Sequence, residues 1–348
     1  MRRKRHARAD TSAGRESMLT RRTLLAGSAA VSGWAATGLP AGAQPATVAG
    51  WPSRPVRAIV PSGAGGPGEN YRIYADHFRE AFGQSFLLEN QPGASGAIGS
   101  LNVSRAAPDG HTLLCAANSH VILAPLVTPK PTFDVKQAFT PIGVIMTYPF
   151  CLIVNADLPV KTIPELVAYA KARPGQLNFG SIGIGTGGHL VAELFCKRAG
   201  IQAVHIPYTG APAQVQGVAT GALHFTIDTI GNSRGAQDAG RIRQIAVTGT
   251  RRSSAAPQLS TFAEAGFPGF ELLLWLGLLG PVGLPAEIVK ALNHEIANCS
   301  RKPDVKARLQ KAAYEPSEAS PEDFAALIDR ELKLWSTVVK ETGVKIPG

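Results

Sequence analysis

Cysteine is scarce in this sequence. Its 348 residues hold four, Cys115, Cys151, Cys196 and Cys299, with no C-x-x-C pair and no Cys/His spacing suited to a metal. Thiol or zinc chemistry is therefore not the basis of function. Cys115 and Cys151 fall in apolar strand-like runs and Cys196 on a helix, so buried free thiols are expected. A G-x-S-x-G elbow is missing too, which leaves hydrolase chemistry without a nucleophile. His189, His205 and His224 have no Asp, Glu or Cys neighbour at ligand spacing, so structural roles are expected for them. Neither a repeat of solenoid period nor a charge-free apolar run near the roughly 18 residues of a membrane span occurs in the body of the chain. What remains is a chain that is 45 % hydrophobic and long enough for two domains around a sizeable core.

The basic residues are concentrated at the start. Arginines crowd Arg2 to Arg8, the pair Arg21-Arg22 precedes an apolar small-residue stretch from Leu24 to Leu39, and Pro40-Ala41-Gly42-Ala43 supplies an A-x-A-like cleavage site. Residues 1–43 are expected to be a twin-arginine-type signal cleaved near Ala43, which addresses the mature chain to the periplasm. That segment holds eight basic and two acidic residues, leaving about +4 of the formal +10 on the remainder. The high isoelectric point is thus no argument for nucleic acid, and a mildly basic body suits an acidic small ligand.

Beyond a small-residue linker, strand and helix patterns alternate. Val56 to Val60 reads as a strand stopped by Pro61, and Tyr71, Tyr74, Ala75, Phe78, Ala81 and Phe82 recur at helical spacing. Between them lies the glycine turn Pro61 to Asn70, with backbone that can approach a ligand closely and a helix N-terminus whose free N–H groups favour an anion. Further strands are expected at Phe86–Glu89 and His111–Ala116, then two strand-like runs around Tyr148-Pro149. A second series of strands and helices follows from Ile163, with a polar segment over Gly231–Gly240. Inside that series, Ser181 to His189 repeats the construction of the first turn. The expected fold is α/β, a two-lobe binding-protein-like architecture with mostly parallel sheets and a cleft between lobes. Residues 47–148 plus 270–348 form lobe 1 and 149–269 lobe 2.

Other residues near strand ends have two readings. Asp228 is either a helix N-cap or a cleft residue that receives an ammonium or hydroxyl group. Asn118 and Ser119 either cap a loop or donate to a carboxylate. Tyr148 and Trp275 either wall the ligand or pack between lobes. Gly63, Gly65 and Gly68 also satisfy G-x-G-x-x-G after a strand, with Glu89 about twenty residues on, which is the fingerprint of an exported nicotinamide-dependent oxidoreductase. Glu69 would repel a pyrophosphate there, and no acid/base cluster accompanies the loop.

Ordered motifs over nearly the whole mature chain carry a resemblance. They run Trp51-Pro-Ser-Arg-Pro, Ile59-Val-Pro61 with Gly65-Gly66, Glu89-Asn90-Gln-Pro92-Gly93-Ala with Gly96 and Ile98-Gly99, and Ala107-Pro-Asp-Gly110. Then come Phe179 to Leu190, His205-Ile-Pro-Tyr208-Thr-Gly210, Ala263-Glu-Ala-Gly266 and Trp275 with Gly277-Leu278. In these the chain resembles the Bug family of periplasmic solute-binding receptors of tripartite tricarboxylate transporters. The resemblance implies a type II-like periplasmic binding fold whose loops Pro61–Asn70 and Ser181–His189 close on a carboxylate like a pincer. It implies backbone donors at Ala64, Gly65, Gly66, Gly185 and Thr186; Glu69, Asn118, Ser181 and Asp228, read from their own positions, complete the candidate ligand set. The implied protein is a monomer with no enzymatic activity, no cofactor and no metal, which delivers its ligand to membrane transporter subunits without inserting in the membrane. A sensor that reports occupancy to a signalling partner is the alternative. Glu69, Pro67-Gly68 and Ser62 depart from the family's usual pattern.

Overall fold

The computed structural model describes residues 48–64 and 67–345. The expected export signal over 1–43 and two candidate donors, Gly65 and Gly66, lie outside the described residues.

Strands β1 (Val56–Val60), β2 (Phe86–Asn90) and β3 (Thr112–Ala117) pair in parallel, with β1 in the middle. The crossover from β1 to β2 is the helix Tyr71–Phe82, which buries Tyr71, Ile73, Tyr74, Ala75 and Phe78 on one face and ends where Gly83 takes φ 71°. Strand β4 (Phe139–Asn155) is seventeen residues long. Beyond it, β5 (Leu177–Ser181) lies between β6 (Ala203–Pro207) and β7 (Phe225–Thr229), again in parallel. Strand β8 (Ile242–Val247) pairs with β4 and with the short β9 (Ser260–Thr261). The chain then returns through β10 (Leu273–Pro281), which lies antiparallel between β3 and β4, and a two-residue β11 (Glu315–Pro316) also pairs with β4. The path through the sheet is β2-β1-β3-β10-β4-β7-β5-β6. Parallel flanks of βαβ type meet on two antiparallel crossing strands.

The two runs expected around Tyr148-Pro149 are one continuous strand. Proline in a central strand removes a ladder hydrogen bond and argues for a break. Here Pro149 stands where β4 changes partner: Leu273 of β10 faces Pro149, and Thr229 of β7 faces the next residue, Phe150. The missing N–H falls at the handover, where it costs the ladder little.

The polar segment expected over Gly231–Gly240 is also different, being a helix over Ile230–Asp238. It has almost no apolar stripe, and buried hydrogen bonds take its place. The Thr229 side chain accepts the Asn232 N–H, Ser233 Oγ donates to Thr229 O, and Gln244 Nε2 donates to both Ser233 Oγ and Ile230 O. Hydrophobic periodicity cannot report a helix held this way.

The tail helices Ala286–Arg301, Pro303–Lys311 and Pro321–Thr342 follow the expected pattern. The last opens with a capping box between Ser320 and Asp323. It runs alongside both strand groups, reaching Asn118 at the end of β3 through Glu331 and the helix Gly187–Ala199 through an Arg198–Glu341 ion pair. Together with β4 and β10 it joins the described residues into one compact unit. All four cysteines are free and buried, as expected.

Candidate functional site

The second glycine turn is a closed hydrogen-bonded device. Fully buried Ser181 ends β5, and its Oγ accepts the Gly183 N–H at 3.1 Å and lies 2.7 Å from His205 Nε2 on β6. Gly185 takes φ 80°, and its N–H donates to His189 Nδ1 at 3.0 Å. Thr186 is the N-cap residue of the helix Gly187–Ala199, yet its hydroxyl donates back to Gly183 O at 2.8 Å and does not cap the helix. The first-turn N–H groups of Gly187, Gly188 and His189 are therefore left with no side-chain acceptor from the cap, at the positive end of a thirteen-residue helix dipole.

Two glycines let that helix end sit directly on the sheet. A Cβ at Gly188 would lie 2.4 Å from Ile227 O of β7, and one at Gly187 would lie 2.6 Å from Phe150 Cζ of β4. The helix start is thus pressed against β7 beside Asp228. The motif Gly187-Gly188 carried this close approach in the sequence, and only its place at a helix start marked it as more than a loop.

The first turn is built more openly. Gly63 and Ala64 are exposed, and a Cβ at Gly63 would meet nothing within 4 Å. A 3-10 turn over Pro67–Asn70 leads into the helix, with Gly68 packed on Val60. Glu69 Oε2 accepts from Arg72 Nε at 2.9 Å, while its Oε1 is buried without a partner. Steps between the turns are short: a Cβ at Gly99 would lie 3.1 Å from Pro61 Cα, one at Gly96 2.7 Å from His120 Cδ2, and one at Gly187 3.5 Å from Leu123 Cδ2. The chain ends of β1, β2, β3, β5 and β7 therefore form one contiguous rim.

Asn118 sits on that rim but faces inward. It is fully buried, and its side-chain N–H groups donate to Leu273 O and to Glu331 Oε2, so it has no donor left for a ligand. Glu331 also accepts from Trp335 Nε1, and burial raises its carboxyl above the ordinary value. Asp228 is 7 % exposed; Oδ1 accepts from the Thr229 N–H at 2.7 Å and from Asn232 Nδ2 at 2.9 Å, while Oδ2 is buried without a partner. Burial pushes its pKa up to about 6 against those two bonds. The cap of the following helix is Thr229, not Asp228. Tyr148 packs on Tyr314 with ring centroids 5.0 Å apart and Trp275 on Phe324 at the same distance, both at most 3 % exposed, so they pack the crossing strands.

Glu89, the acidic residue of the dinucleotide fingerprint, is engaged by Gln91 and by Arg57, which together lower its pKa. A cavity of about 410 Å³ lies near the far end of the helix Gly187–Ala199, lined by Glu193, Cys196, Lys197 and Thr342. Glu193 links its wall to His189 in the first turn of that helix, at 3.4 Å from Nε2. No helix among the described residues is long and apolar enough to cross a membrane.

A profile described as tripartite tricarboxylate transporter family receptor matches residues 71–344. A UPF0065 protein encoded in the tcbD-tcbE intergenic region of Pseudomonas sp. (strain P51) is 33 % identical over 293 residues, covering 84 % of this chain and 87 % of its own. An R. palustris protein solved with adipate is 34 % identical at a TM-score of 0.77, covering 85 % of this chain and 99 % of its own. MatC from Rhodopseudomonas palustris, solved with bound malate, is 28 % identical at a TM-score of 0.73, covering 83 % and 100 %.

Proposed function

We propose, from the premise that the chain belongs to the tripartite tricarboxylate transporter receptor family, that it is a periplasmic receptor which captures a small carboxylate at the rim and presents it to a membrane transporter. The observation that carries this reading is the uncapped helix start at Gly187, held against β7 while Thr186 turns its hydroxyl elsewhere. Oriented amides hold a carboxylate without a full countercharge, and they strengthen when closure excludes water. Relatives of known structure bind adipate and malate, two such acids.

In this reading the lobes are 47–148 plus 270–348 and 149–269, with hinges where β4 passes Pro149 and where the chain enters β10. The first turn contributes the amides of Ala64, Gly65 and Gly66, and the second those of Gly187, Gly188 and His189, because the Thr186 N–H is donated to Gly183 O. Gly185 and Ser181 shape the second turn, while Glu69 and Asp228 face polar groups at the far end of the ligand. Capture is then differential affinity for the closed form, and no step of bond making or breaking is required. A thermal-shift screen of the purified chain against mono-, di- and tricarboxylates tests it: a dicarboxylate should raise the midpoint by several degrees. Chemical turnover of a bound acid, or no shift with any acid, overturns the reading.

A further inference from the structure

Under the second turn lies a cluster of four near-parallel aromatic rings, in which Phe179 is also 6.3 Å from His189. Phe225 and Phe179 stack at 5.5 Å, Phe179 and His205 at 5.0 Å, and His205 and His189 at 3.9 Å, with interplanar angles between 22° and 29°. Its two imidazoles hold the loop at two points: His205 through Ser181 Oγ at its start, and His189 through the Gly185 N–H at its middle.

The chemistry of the second contact is asymmetric. A backbone N–H donates to Nδ1 only if that nitrogen keeps its lone pair, so His189 must be neutral with its proton on Nε2. Glu193, one turn along the same helix, places Oε1 3.4 Å from His189 Nε2 and favours that tautomer. The charged and titratable groups facing His189 are thus Glu193 from its own helix and His205 from β6, with Phe179 of β5 completing its surroundings. Protonation at Nδ1 turns the contact into donor against donor and sets a cation 3.9 Å from a second ring. Burial, and then the neighbouring His189, hold His205 down at about 4, so His205 stays neutral between pH 7.5 and 5.5.

We propose that His189, oriented by Glu193 and stacked on His205, is a positioning residue of the carboxylate loop, so that the loop keeps its capturing shape only while His189 is neutral and ligand capture weakens on acidification. The proposal rests on the receptor reading for its link to ligand, but the loop contact can be read without any ligand. In the full chain with ¹⁵N-labelled histidine, nuclear magnetic resonance at pH 7.5 should show His189 with the proton on Nε2, and the Gly185 amide should be protected from exchange. Protection relative to the unstructured rate should fall by about tenfold between pH 7.5 and 5.5, the interval in which an imidazole gains its proton. A His189 proton on Nδ1 at pH 7.5, or equal protection at both values, overturns the proposal.

The ligand arm uses calorimetry with adipate and with malate. Wild type should lose about tenfold more affinity across that interval than His189→Asn, whose side-chain oxygen can accept the Gly185 N–H without titrating. His189→Leu should bind weakly at both pH values. The acid's own protonation enters every titration alike, so parallel profiles for wild type and His189→Asn overturn the proposal. If neither acid binds wild type at either pH, the receptor reading fails for these acids while the tautomer and exchange results still decide the role of His189.

Discussion

The two glycine turns have the same sequence plan, strand then glycines then helix, and differ in what supports them. In Ser181–His189 every kink has a named partner: Ser181 on His205 and Gly183, Thr186 on Gly183, Gly185 on His189. In Pro61–Asn70 the described side-chain contacts are local, Asn70 back to Pro67 O and Glu69 to Arg72, apart from Asn90 reaching Ser62 O. Glycine serves two ends in these turns. In the second turn Gly187 and Gly188 permit close approach of a helix to a sheet; in the first, Gly68 packs on Val60 in the same way, whereas Gly63 sits in open space. One turn is a fixed jaw and the other is an exposed one.

The strongest way to break this comparison is to make the same change in both turns. Gly188→Ala forces a methyl group into Ile227 O and should cost about 3 kcal/mol by urea denaturation. Gly63→Ala should change stability by no more than about 0.5 kcal/mol. Similar losses in both would show that the turns are equally packed.

Next in size is Asp228→Asn. In the folded chain its pKa is raised to about 6 from the ordinary 3.8. Its protonated form therefore lends stability that is fully present below pH 3.8 and lost as pH rises through 6. Asparagine keeps an oxygen for the Thr229 and Asn232 donors and removes the buried charge, so at pH 7.5 the variant should be more stable by about 2 kcal/mol. The gain should vanish near pH 3.5, and thermal melts at the two pH values check it.

Thr186→Asp sharpens the account of the free helix start. A carboxylate at that N-cap can satisfy first-turn N–H groups itself, so carboxylate affinity should fall about tenfold in calorimetry while the helix gains about 0.5 kcal/mol. Unchanged affinity would show that those amides do not meet the ligand. Smallest of all, Glu69→Gln removes an ion pair with the exposed Arg72 and the charge beside the unpartnered Oε1, two effects that oppose each other, and should shift stability by less than about 0.5 kcal/mol. A change in the order of preference among acids, read in the same calorimeter, would place Glu69 at the ligand.

Much of this was legible along the chain. Apolar periodicity located the helix Tyr71–Phe82 and the three tail helices, because each buries one regular face, while β1, buried on both faces, showed as a short apolar run stopped by Pro61. The ordered motifs identified the family, and both turns stood out by their glycines. The helix Ile230–Asp238 was illegible because hydrogen bonds do the work of an apolar stripe. The unbroken β4 was illegible because nothing local says that a proline falls where a strand changes partners.

By itself, then, the sequence determined the alternation of elements, the family and two glycine turns between a strand and a helix, since these depend on residue type and short spacing. Only the tertiary structure decided which groups are free. Asn118 looked like a donor until Glu331, 213 residues away, took its amide, and His189 was an isolated histidine until β6 brought His205 against it and the turn brought Gly185 to its lone pair. Availability of a polar group is set by what folds onto it, and partners distant along the chain leave no local trace in the sequence.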